Sequence, residues 1–136
     1  MFAGCLVRPE RKILVFGNSL VKKDSLPIRL LPELKQAFPE IEFKEFDAIE
    51  DLQNEGKILY ILDSVEGINK VEVITNIDLL LVNKIYSVHD FDLGYVLKLM
   101  KKMGMVEQVT IFGVPPNMRK DQAVKQLRQK IDSILS

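Results

Sequence analysis

Histidine and cysteine are almost missing from this chain: of 136 residues, one is histidine (His89) and one is cysteine (Cys5). A lone cysteine cannot form an internal disulfide, which fits a reducing, cytoplasmic setting. Cys5 lies close to the first residue with no base beside it, a poor position for a nucleophile. Net charge is missing too. The 19 basic residues equal the 19 acidic ones, so nothing electrostatic points to nucleic acid or an anionic membrane. No apolar run approaches the roughly 20 residues of a membrane-spanning helix. The opening MFAGCLVRPERK has a short apolar stretch without a basic region before it, unlike a signal peptide.

Several sequence signatures are also absent. Gly17 is not followed by the spacing G-x-G-x-x-G, so a dinucleotide crevice is unsupported. There is no G-x-x-x-x-G-K-[ST] phosphate loop and no G-x-S-x-G nucleophile elbow, although Ser64 and Ser87 stand near the residues of interest.

What is present is an alternation of two periodicities. Hydrophobic residues make up 47% and charged residues 28%, and residues 1–136 are expected to form one domain with a substantial core. Lys12–Phe16 is a compact apolar run closed by Gly17-Asn18. Pro27 suits a helix's first turn, Ile28, Leu30, Leu31, Leu34 and Phe38 give that helix an apolar stripe, and Pro39 stops it. Ile41–Asp47 alternates as a half-exposed strand, and a short helix is expected from Ile49 to about Gly56.

Lys57–Leu62 is nearly all apolar, the pattern of a strand buried on both faces, and Asp63 closes it. A turn at Gly67-Ile68-Asn69 leads to Lys70–Thr75, which alternates like an edge or antiparallel strand, and Lys84–Tyr86 suits a short extended piece. A helix starts at His89 or Asp90, carries Phe91, Val96, Leu97, Met100 and Met103, and is capped by Gly104. Val106–Val114 is a further strand, broken by Pro115-Pro116. Arg119–Leu135 is a final amphipathic helix with Ala123, Leu127, Ile131 and Ile134 on one face. This order predicts a three-layer α/β/α fold around a mostly parallel, twisted sheet of about five strands.

Ligands of such sheets sit beyond the carboxyl ends of the strands. The order of elements sends Gly17-Asn18, Asp24, Asp63 and His89 to that edge. Each has a plain reading by itself. Asp24 can cap the Pro27 helix, a contribution of about 1 kcal/mol. Asp63 can accept loop N–H bonds, and His89 can be structural or solvated. Together, two carboxylates and one imidazole make a donor set suited to a borderline divalent metal such as nickel, zinc or iron.

At these residues the chain resembles the hydrogenase maturation proteases, of archaeal type. These endopeptidases trim the C-terminus of the nickel–iron hydrogenase large subunit. That family opens with a strand into G-N-x-L-x-x-D-[DE]-G, and here the segment runs Gly17-Asn18-Ser19-Leu20-Val21-Lys22-Lys23-Asp24-Ser25. Its aspartate after a buried strand is matched by Leu62-Asp63-Ser64. Its serine- and histidine-bearing helix entry is matched by Ser87-Val88-His89-Asp90, and its strand ending G-[IV]-x-P by Gly113-Val114-Pro115-Pro116. The resemblance extends from Ile13 to the last helix. Lys23 stands where the family has an acidic residue and Ser25 where it has glycine.

The resemblance implies a phosphorylase/hydrolase-like fold and a peptidase whose catalytic and metal-binding residues are Asp24, Asp63 and His89. It implies nickel carried by the substrate, with no metal held tightly by the free enzyme. The partner it implies is a hydrogenase large-subunit precursor, without nucleic acid or membrane insertion. Two alternatives stay open. One is a non-catalytic α/β domain that binds a metal or a partner. The other is a hydrolase like peptidyl-tRNA hydrolase, which also opens with a strand into Gly-Asn but needs a histidine soon after it, where this chain has none before His89.

Overall fold

The computed structural model describes residues 11–16, 26–46, 52, 54–76, 86–87 and 93–135. In chain order these hold β1 (Lys12–Phe16), α1 (Leu26–Ala37), β2 (Glu42–Phe46), β3 (Ile58–Glu66) and β4 (Glu72–Ile74). They continue with β5 (Tyr86–Ser87), α2 (Leu93–Lys102), β6 (Gln108–Val114) and α3 (Lys120–Leu135).

Five of these strands form one sheet in the order β2-β1-β3-β6-β4. The first four run parallel, and β4 closes the far edge antiparallel to β6. β5 lies off this path and pairs antiparallel with the end of β3. The sequence patterns explain these positions. β1 from Ile13 onward and β3 as far as Leu62 read as apolar runs and occupy the middle, where both faces are covered. β2 and β4, which alternate, occupy the edges.

Strand side chains alternate between faces, and the core divides accordingly. One cluster takes Ile13, Val15, Leu62, Phe112 and Val114 from the sheet, with residues of α1 and α3. The other takes Leu14, Phe16, Ile61, Val65 and Ile111, with Leu52 and with Leu97 and Met100 of α2. α2 ends as its sequence predicts. Gly104 takes φ of 76°, and the Met105 N–H donates to the Met100 carbonyl at 2.9 Å, which closes the last turn.

Three expectations change. β3 does not end before Asp63; it runs four residues further, to Glu66. Two neighbours explain this: β6 accompanies it as far as Ser64↔Val114, and β5 then pairs with Val65 and Glu66. On α3 the buried residue of the last turn is Leu135, and Ile134 is 42% exposed. On α2, Met103 is 63% exposed and does not join the stripe of Leu97 and Met100. The helix expected from Ile49 lies largely outside the described residues, and Leu52, Asn54 and Glu55 form 3-10 turn.

Among the described residues no helix is long and apolar enough to cross a membrane.

Candidate functional site

Asp63 is the site residue that the structure describes. It is the sixth residue of β3, faces Gly113 of β6 in register, and has 0% exposure. Strand alternation places it on the face of Ile61 and Val65, toward the carboxyl end of the parallel strands. Gly113 carries no side chain beside it because Val65 occupies that space. A Cβ built on Gly113 would meet the Val65 side chain at 3.0 Å and that of Ile68 at 3.4 Å. A charged residue is almost never fully buried unless it is paired or carries out a function. Here that position is the middle of a central strand.

Asp24, His89 and the Gly17-Asn18 turn lie outside the described residues, as do Lys23 and Ser25. Their described neighbours can be located. β1 ends at Phe16, and α1 starts at Leu26, two residues after Asp24. α1 links two parallel neighbours, so it starts at the carboxyl edge and runs back along the sheet. β5 brings Ser87, two residues before His89, against Val65, two residues after Asp63. The chain segments flanking all three expected ligands therefore meet at one edge. Among the described residues no group of three or more histidine, cysteine, aspartate or glutamate side chains is arranged to hold a metal.

Ser64 was noticed in the sequence only for its neighbourhood. It is fully buried, and its Oγ has no hydrogen-bond partner among the described residues. Alternation puts it on the opposite face from Asp63, the face of Leu62 and Val114.

Sequence reasoning missed a second charged cluster. Glu55, with a side chain only 6% exposed, accepts hydrogen bonds from Lys12 of β1 and, at 2.9 Å, from Lys44 of β2. Burial pushes its carboxyl up, but the two lysine hydrogen bonds and their charges outweigh that and hold it below the ordinary value of 4.5. Lys12 opens β1, so this cluster sits toward the opposite edge of the sheet from Asp63 and anchors the turn before β3. The sequence offers no signal for it, because 43 positions separate Lys12 from Glu55.

Fold and site together define an α/β protein with a mostly parallel sheet and a buried carboxylate at the carboxyl edge of its central strand. Comparison with protein-family models, with curated proteins and with solved structures gives no match.

Proposed function

We propose that this protein is a cytoplasmic, nickel-dependent endopeptidase that removes the C-terminal extension of a nickel–iron hydrogenase large-subunit precursor. One observation carries the reading beyond its motifs. β3 holds Asp63 buried at the carboxyl edge, and the described flanks of Asp24 and His89 come to that same edge.

Nickel enters as part of the substrate, and Asp24, Asp63 and His89 would hold it. Two carboxylates and an imidazole suit it chemically. Bound there, it supplies Lewis-acid polarisation of the scissile carbonyl or of an attacking water. The chain's own part is placement. β6 pairs with Asp63 at Gly113, and β1 pairs with β3 as far as the preceding residue, Leu62, so the carboxylate needs little reorganisation to act as ligand or as general base. Recognition of the metal makes the enzyme read the maturation state of its substrate.

The test is cleavage of two forms of one precursor. The purified protein is expected to shorten the nickel-loaded form and leave the nickel-free form intact. Equal cleavage of both, or of an unrelated peptide, would overturn metal recognition.

One observation favours a second reading, a non-catalytic α/β domain that binds a metal or partner. The 0% exposure of Asp63 is also what a purely structural carboxylate would show. Absence of cleavage of either precursor form selects that reading.

A further inference from the structure

The carboxyl edge of the sheet carries a second feature, beyond the ends of β3 and β6. The end of β3 and the turn after it (Glu66–Asn69), the loop after β6 (Pro115–Arg119) and Gln122 in the first turn of α3 line an open cavity of about 440 Å³. That volume is typical of a ligand pocket, and its position beyond the strand ends is where sheets of this type bind ligands. A larger hollow of about 620 Å³ lies along α3 beside Phe38, but nothing in the structure shows what would cover it.

The walls of the smaller cavity indicate its ligand. Three exposed carboxamides line it, Asn69, Asn117 and Gln122. Each presents a donor and an acceptor together, the same pair that a peptide main chain offers. Pro115 and Pro116 form a wall with no N–H of its own and with fixed φ. The charged lining residues are one of each sign, Glu66 and Arg119, and the Arg119 guanidinium is already 2.8 Å from Asp121. A strongly charged ligand therefore finds little to recognise it, whereas an uncharged backbone finds matched amides.

We propose that this cavity is a subsite for an extended peptide segment of the protein substrate, held through its main-chain amides by Asn69, Asn117 and Gln122. The inference rests on the endopeptidase reading and adds to it where the substrate lies. Glu66, at the rim, is three residues along β3 from Asp63, or about 10 Å at strand rise. A peptide running along the sheet edge from Asp63 past Glu66 would seat in the cavity the residues about three positions from the scissile bond.

Two measurements test this. The first is the steady-state kinetics of N117A/Q122A on the nickel-loaded precursor. These side chains are exposed, so the fold should survive. KM is expected to rise about tenfold, the effect of losing two neutral hydrogen bonds, with kcat unchanged. Gln129→Ala, in the larger hollow, should leave both values as in the wild type. An unchanged KM in the double variant, or a fall in kcat alone, would overturn the subsite.

The second measurement is NMR titration of the wild type with a synthetic peptide of the precursor's C-terminal extension, read at the side-chain amide signals of the three residues. Shifts there without any cleavage would retain the peptide subsite and remove the peptidase. Cleavage without shifts would do the reverse.

Discussion

On the proposed function, variants of Asp63 and His89 should separate activity from folding at the level of single residues. Asp63→Asn preserves shape and hydrogen-bonding capacity but removes the charge. As ligand or general base, its loss should lower precursor cleavage by roughly 10²- to 10⁴-fold. His89→Ala removes the chain's only imidazole and is expected to abolish cleavage without changing the thermal midpoint, since His89 belongs to none of the apolar stripes in the sequence. Cleavage assays and thermal unfolding run side by side check both. Retained cleavage would remove the residue from the site, and a collapsed midpoint with His89→Ala would show a structural role.

Glu55 gives a different response, one of stability with pH. Its carboxyl ionises more readily in the folded chain than at the ordinary value of 4.5. The stabilisation is therefore fully present above that value and disappears as pH falls through the lower folded value. Glu55→Gln should cost roughly 1–2 kcal/mol near neutrality. The gap between variant and wild type should close in acid, as read from urea midpoints between about pH 3 and pH 7.

Among elements, the helices and edge strands were the most legible. α1 reads directly from Leu30, Leu31 and Leu34, all buried, and from Pro39 just after its end. Gly104 marks the end of α2 because a left-handed φ is required there. The misses have a common origin in partners that are distant in sequence. The length of β3 is set by β6 and β5, which arrive 20 or more positions later, so Asp63 looks terminal in the sequence and is interior in the sheet.

The last turn of α3 shows the same limit. A stripe of Ala123, Leu127 and Ile131 can continue through either Ile134 or Leu135 at helical spacing, and only the packing against α1 and the sheet selects Leu135. Leu135→Ala should therefore destabilise by about 2 kcal/mol, toward the low end for buried leucines because it lies at a helix end. Ile134→Ala should stay within about 0.5 kcal/mol. Equal losses in denaturant melts would restore Ile134 to the core.

For the molecule as a whole, the class of fold was readable because strand and helix periodicities alternate along nearly the whole sequence. The candidate site was readable only as separate pieces. Asp63 is visible as a carboxylate ending an apolar run, but its complete burial is not, because that depends on β1 and β6 flanking it. The amide-lined cavity is less visible still. Its two main walls are a turn and a loop nearly 50 positions apart, and they become neighbours because β6 inserts between β3 and β4.

That insertion also bears on how the chain is made. During synthesis β3 and β4 leave the ribosome well before β6, yet they never pair with each other in the finished sheet. Until residues 108–114 emerge, β4 lacks its partner among the described strands, and β3 lacks the one that pairs with it from Ile58 to Ser64. A sheet begun before then would have β3 as an open edge, with unpaired backbone groups, through the translation of some 40 residues. Closure of the sheet therefore waits for β6, which begins 42 positions after β3 ends.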